Sequence, residues 1–138
     1  MPDYALIEVP PSVEDYRALR KRAGLSERTR EAAEAGLPNT WVGVRIEHDG
    51  EAVGMGRIVG DGGCFFKVVD IAVLPEHQGQ GLGKRIMSAL MRHFEAHAPE
   101  SASLSLIADG EAKHLYAQFG FQPTAPQSIG MTCRKGHR

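Results

Sequence analysis

In the middle of the chain, Gln78-Gly79-Gln80-Gly81-Leu82-Gly83 alternates glycine with other residues and leads straight into Lys84 and Arg85. Glycines at this spacing remove side chains where free amide groups emerge at a helix start. Backbone N–H donors and the positive helix end then favour an anion such as phosphate, and two cations follow at once. The same residues can equally form a tight turn that binds nothing. Spacing excludes two familiar phosphate loops. A P-loop needs glycine at 78 and Ser or Thr at 85, where the chain has Gln78 and Arg85. A dinucleotide fingerprint begun at Gly79 needs glycine at 84, and one begun at Gly81 needs it at 86; the chain has Lys84 and Ile86. Neither triphosphate hydrolysis nor hydride transfer is supported.

Other chemistry-bearing types form weaker patterns. His93 and His97 stand four apart, the spacing that lets two imidazoles face one metal, but the run is His-Phe-Glu-Ala-His rather than His-Glu-x-x-His. No third ligand is indicated, so no metal is expected. Cys64 has no Cys-His-Asn pattern around it and reads as a packed thiol. Arg17, Arg20, Lys21 and Arg22 read as a solvated helix face balanced by Glu14 and Asp15, and Trp41 and Phe65-Phe66 as strand packing.

These residues need a scaffold, and the composition allows one. The chain has 138 residues, 42% hydrophobic and 24% charged, the balance of one folded domain spanning 1–138. Its formal net charge of -1 supports neither a nucleic-acid coat nor a polybasic membrane binder. No apolar run approaches the ~18 residues of a membrane span. Cys64 and Cys133 form no Cys-x-x-Cys pair, and Met1-Pro2-Asp3-Tyr4 lacks the regions of a secretion signal, so a cytoplasmic protein with reduced thiols is expected.

The pattern of residues predicts the elements. Tyr4 to Val9 reads as a strand closed by Pro10-Pro11, Ser12 as the cap of a helix ending at Gly24, and Ser26 as the cap of a second helix to about Ala35. Trp41 to Glu47 and Glu51 to Val59 flank a His-Asp-Gly hairpin turn, and a third antiparallel strand runs from Cys64 to Leu74. Leu82, Ile86, Met87, Leu90, Met91 and Phe94 mark one face of a helix through about His97. A strand at Ser103 to Ile107, a short helix from about Glu111 to Phe119, and one or two strands from Phe121 through Ile129 to Cys133 complete the pattern. A mixed α/β sheet with a strand-helix-strand crossover is expected.

Gln78-x-x-Gly81-x-Gly83 after the strand Asp70-Ile71-Ala72-Val73-Leu74-Pro75 resembles the cofactor loop of the GCN5-related N-acetyltransferase (GNAT) family, whose pattern is Gln/Arg-x-x-Gly-x-Gly/Ala. Downstream, Leu115-Tyr116-Ala117-Gln118-Phe119-Gly120-Phe121 is similar to the family's Leu-Tyr-x-x-x-Gly-Phe segment. The two occur in the family's order, and the elements around them agree from about residue 41 to 121.

The resemblance implies a single-domain sheet flanked by helices, with two parallel strands splayed apart at an acetyl-CoA site. It implies that the pantetheine arm pairs with Ile71, Ala72 and Val73. The pyrophosphate would rest on Gln78, Gly79, Gly81, Gly83 and Lys84. Asp109 stands where the family often has a cofactor-contacting asparagine, a departure from the pattern. Tyr116 matches the tyrosine assigned as general acid, and a phenol of pKa near ~10 keeps its proton at neutral pH. For a base the matching strand offers Asp70, with His114 and His48 as weaker candidates. The implied activity is transfer of acetyl from acetyl-CoA to a primary amine, a small molecule or a peptide, by direct attack. A non-catalytic CoA-binding or sensory module of the same fold is the alternative. The resemblance also implies a homodimer through the last strands.

Overall fold

The computed structural model describes residues 3–136. In chain order it contains β1 (Ala5–Ile7), α1 (Val13–Arg22), α2 (Arg30–Gly36), β2 (Val42–His48), β3 (Glu51–Gly60), β4 (Phe65–Val73), α3 (Leu82–His97), β5 (Ser103–Ser105) and α4 (Lys113–Ala117). Short 3-10 turns lie at Leu37–Asn39, Pro75–His77 and Gly110–Ala112. The chain divides into two compact units between Leu106 and Ile107. The first holds the whole sheet with α1, α2 and α3; the second holds α4.

The sheet has the order β1-β2-β3-β4-β5. Its first three pairings are antiparallel, and β4 and β5 run parallel across the α3 crossover. Local chemistry accounts for the frame. Asp49 and Gly50 both adopt positive φ, +51° and +76°, as a tight hairpin between β2 and β3 requires. Ser12 Oγ accepts the Asp15 amide at 3.1 Å and starts α1.

The helices cover opposite faces of the sheet. Gly56 faces α3, because a Cβ there would come within 2.6 Å of both Ile71 Cδ1 and Ile86 Cγ2. Arg57, the next residue, meets α1 instead: its guanidinium carbon is 5.5 Å from the Tyr16 ring centroid. Neighbours along a strand point to opposite faces, so α1 and α3 clasp the sheet between them. Leu82, Ile86, Met87, Ala89 and Leu90 of α3 close one half of the core against Val44, Ile46 and Ile58, which share the Gly56 face. On the other face Tyr16 and Leu19 of α1 are buried.

Six expectations are corrected. Cys64 is exposed rather than a packed thiol, and Phe65, unlike Phe66, points to solvent rather than into the packing. Thr29, not Ser26, caps the second helix, its Oγ1 accepting the Ala32 amide at 3.1 Å; α2 therefore begins at Arg30. Arg20 does not belong to a solvated face but is buried. The fifth strand stops at Ser105 rather than Ile107. Among the described residues no further strand forms between Phe121 and Cys133; instead Ile129 and Met131 lie exposed.

The close approach at Gly56 gives a prediction. Gly56→Ala forces a methyl into the packed Ile71–Ile86–Leu90 contact and is expected to cost about 1–3 kcal/mol of stability. Urea denaturation checks this, and an unchanged midpoint would mean that α3 can withdraw freely.

Candidate active site

Between β4 and α3 the chain makes the glycine turn at one end of the sheet. Gly79 and Gly81 have φ of +80° and +78°, a conformation that L side chains rarely adopt, and a Cβ at either position would meet nothing within 4 Å. Gly81 is the N-cap of α3, and no side chain caps the helix. The Arg85 amide makes the first turn's bond, to the Gly81 carbonyl at 3.1 Å. The amides of Leu82, Gly83 and Lys84 thus precede the helical ladder, at its positive end. Gln78 turns back on the strand, its Nε2 donating to the Val73 carbonyl at 3.1 Å. Beside the turn, a groove of about 380 Å3 is lined by Leu6, Gly81, Lys84, Arg85, Ser88 and Arg92. Open glycine backbone, unbonded amides and three cations suit a ligand carrying several phosphates.

The strand leading into this turn is bulged. Met55 pairs with Ala72 but Arg57 pairs with Val69, so Gly56 alone opposes both Asp70 and Ile71. Asp70 absorbs the extra residue with φ +62°. On the other edge of β4, the parallel pairing with β5 ends at Lys67 and Ser105, while β4 continues to Val73. The backbone from Val68 to Val73, including Ile71, Ala72 and Val73, therefore extends past its β5 partner.

The Asp70 side chain is only 5% exposed. One carboxylate oxygen, Oδ1, accepts Arg20 Nη1, and Oδ2 accepts Arg57 Nε at 2.8 Å and the Tyr16 hydroxyl at 3.1 Å. Arg57 also donates from Nη1 to Thr40 Oγ1 at 2.8 Å, and Arg20 donates from Nε to the Ser26 carbonyl at 2.7 Å. Burial first, and then the Asp70 charge, push the Tyr16 phenol above its ordinary value against the opposing pull of the arginines. Both Asp70 oxygens are thus occupied by donors from α1 and β3. This geometry suits a structural anchor: three donors take three of the carboxylate's roughly four acceptor sites. Nothing in the spacing exposed the network. Its one visible signal was Arg57, a charge inside the otherwise apolar run Val53 to Val59.

Asp109 and Tyr116 belong to the second unit. Asp109 is exposed and precedes the 3-10 turn Gly110–Ala112. Tyr116 lies on α4, 9% exposed, with its ring edge-on to Phe121 at 6.3 Å between centroids. Burial, and secondarily the Asp109 charge, raise its phenol above the ordinary value.

The histidines are engaged elsewhere. His114 contacts Glu111 at 2.7 Å on an exposed surface. His48 bonds through Nδ1 to the Asp3 carbonyl at 2.9 Å and packs against Tyr4 and His77. His93 stacks near His97 and edge-on to Trp41; desolvation chiefly, then His97, lowers its pKa, while Glu8 raises it. Among the described residues no group of three His, Cys, Asp or Glu side chains is placed to hold a metal ion. No described helix is long and apolar enough to cross a membrane.

A family model for the acetyltransferase (GNAT) domain matches residues 39–123. A crystal structure of a Staphylococcus aureus protein of unknown function, described as a probable acetyltransferase, is 47% identical with a TM-score of 0.91, covering 96% of this chain and 99% of that one. The chain is also 27% identical over 136 residues to the histone acetyltransferase TAP1 of Glycine max, covering 91% of this chain and 58% of the soybean protein. An aminoglycoside N-acetyltransferase in complex with CoA shares the fold, with a TM-score of 0.69 at 17% identity over 99% of this chain and 97% of that one. The chain belongs to the GNAT acetyltransferase family, and its mixed sheet is that family's fold. It spans little more than half the length of the soybean relative.

The anchor at Asp70 makes a testable demand on stability. Asp70→Ala strands two buried guanidinium groups and is expected to cost about 3–5 kcal/mol. Asp70→Asn keeps an acceptor oxygen and a residue type tolerant of positive φ, so its loss should be clearly smaller. Denaturant midpoints of the two variants check the ordering, and equal losses would refute it.

Proposed function

We propose that the chain is an N-acetyltransferase that moves acetyl from acetyl-CoA to a primary amine by direct attack. The observation that carries this reading is the open glycine turn capping α3, fed by a bulged strand whose backbone extends past its parallel partner. Gly79, Gly81, Gly83 and Lys84 would present amides to the pyrophosphate, with Gln78 holding the turn against Val73. Lys84, Arg85 and Arg92 would neutralise the phosphates. Ile71, Ala72 and Val73 would pair with the pantetheine arm, and amides near Val73 would face the developing oxyanion. When bound, acetyl-CoA supplies the activated acetyl group; the protein supplies orientation and a proton.

Tyr116 is the proton donor in this reading, delivering its phenolic hydrogen to the departing sulfur. A raised phenol pKa serves a donor, because the group stays protonated across neutral and mildly alkaline pH. Asp109 would act on Tyr116 by keeping that proton in place rather than as a ligand of the cofactor arm. Asp70 is a positioning residue here, with no role as base. Two free, exposed cysteines support a cytoplasmic setting. The exposed Ile129 and Met131 support self-association into a homodimer through the C-terminal segment. The acceptor is a small molecule or a peptide amine.

Calorimetric titration with acetyl-CoA, beside pantetheine lacking the phosphates, tests the site. Gly81→Glu places a carboxylate at the helix end and is expected to weaken binding at least tenfold; an unchanged Kd in a folded variant removes the loop from the site. Tyr116→Phe is expected to leave that Kd nearly unchanged while lowering kcat at least tenfold, about 1.4 kcal/mol of barrier. Because the phenol pKa is raised, any alkaline fall in kcat due to Tyr116 lies above pH ~10 and vanishes in the Phe variant. Equal turnover in that variant would exclude Tyr116 from the mechanism.

A further inference from the structure

The corner between α1 and α2 holds more positive charge than its own carboxylate balances. Arg20 and Arg57 are buried to 7% and 10% side-chain exposure around the single carboxylate of Asp70. A third guanidinium joins them through Ser26, whose Oγ accepts both Arg20 Nη2 at 3.0 Å and Arg28 Nη1 at 2.8 Å. Among the described residues, no carboxylate other than that of Asp70 lies within ion-pair distance of Arg20, Arg28 or Arg57. The remaining partners, Thr40 Oγ1 and the carbonyls of Gly36, Ser26 and Glu27, are uncharged. Tyr16 adds no negative charge, since its phenol holds its proton more firmly than usual. Arg57 Nη2 makes no hydrogen bond among the described residues and remains open to solvent, although the side chain as a whole is nine-tenths buried.

Burying charge without a counter-charge is expensive, and a forked guanidinium with an idle nitrogen is matched in shape to a carboxylate or phosphate. The corner also lies beside the proposed chemistry. Arg57 pairs across the sheet with Val69, and its partner Asp70 directly precedes Ile71. We propose that the acceptor amine carries a compact oxyanion, a carboxylate or a phosphate, which Arg57 and Arg28 hold at this corner. Specificity follows from charge: an acceptor without the oxyanion leaves the excess unbalanced. The proposal rests on the acetyl-transfer reading for its reaction, but the anion site is defined by this corner alone.

Paired probes test it. O-phosphoethanolamine against ethanolamine, and β-alanine against β-alaninamide, differ in the oxyanion while keeping the primary amine. The anionic member is expected to have a kcat/KM at least tenfold higher in the preferred pair, and the pair showing the larger ratio identifies phosphate or carboxylate. Arg28→Gln, at a half-exposed position, should shrink that ratio several-fold while acetyl-CoA binding stays intact. Arg57→Lys, which keeps the charge but loses the fork, should raise KM for the anionic acceptor more than it lowers kcat.

A second readout needs no turnover. At matched ionic strength an anionic probe at about ten times its Kd should raise the unfolding midpoint by about 3 °C or more, its neutral partner should not, and Arg28→Gln should blunt the rise. Equal acetylation of neutral and anionic partners, or no selective stabilisation by either anionic probe, overturns the proposal. If the anionic probes stabilise a chain that fails to bind acetyl-CoA, the anion site stands and the acetyl-transfer reading falls.

Discussion

The extra residue in β4 has to turn back into the ladder, and the chain does this with Asp70 at φ +62°. Aspartate is among the few L residues that tolerate this region, and its carboxylate is then aimed at the α1 face. Arg20 and Tyr16 from α1 and Arg57 from β3 converge on it. One side chain therefore fixes the bulge, the register of α1 on the sheet and, through Ser26 and Thr40, both ends of the α1–α2 region. Such a buried ionic cluster adds little net stability, because desolvation offsets much of its attraction. What it supplies is discrimination: a slip of α1 or of the β3–β4 register leaves guanidinium groups buried without a partner.

The far end of β4 runs on past its parallel neighbour, because β5 is short and their contact ends at Lys67 and Ser105. Backbone donors and acceptors beyond that point extend toward Val73 without β5. Leu74 returns to the sheet through its amide on Val53, the Pro75–His77 turn reverses the chain, and Gly81 opens α3. Gly56, opposite the bulge, keeps α3 close enough for its N-terminus to lie at the end of this strand. An extended edge and a helix end presenting free amides thus follow one another along the chain, from the bulged strand to Gly81. They are the two features that a ligand with an amide-bearing arm and phosphates would use.

Much of this was legible in the residues because local rules determined it. The Asp49-Gly50 turn, the Ser12 cap, the apolar face of α3 and the glycine turn depend on neighbours a few positions away. What was not legible depended on tertiary partners. Arg20 reads as surface in a run of Arg and Lys, and only the carboxylate at position 70 draws it inward. Ser26 has the chemistry of a cap, but two guanidinium groups occupy its oxygen, and Thr29 takes the capping role. The bulge left no trace in the apolar pattern, because Val68 to Val73 suits a strand with or without an extra residue. The strands expected from Phe121 onward cover β-prone residues such as Phe121, Ile129 and Thr132, and such propensity depends on a neighbouring strand to pair with.

The absence of a ready base among the engaged side chains connects with the charge of the α1–α2 corner. An acceptor ammonium must lose a proton before it can attack, and Asp70 has both oxygens committed while His48 and His114 are bound elsewhere. Three guanidinium groups set against Asp70 and a singly charged acceptor oxyanion, such as a carboxylate, still leave a net positive corner. A second positive charge brought near such a corner is disfavoured, so the ammonium gives its proton to solvent more readily there than in water. On the proposed reading, the cations that select an anionic acceptor therefore also bias its amine toward the neutral, nucleophilic form. Recognition and activation of the acceptor would then share one origin, and no dedicated proton acceptor would be required.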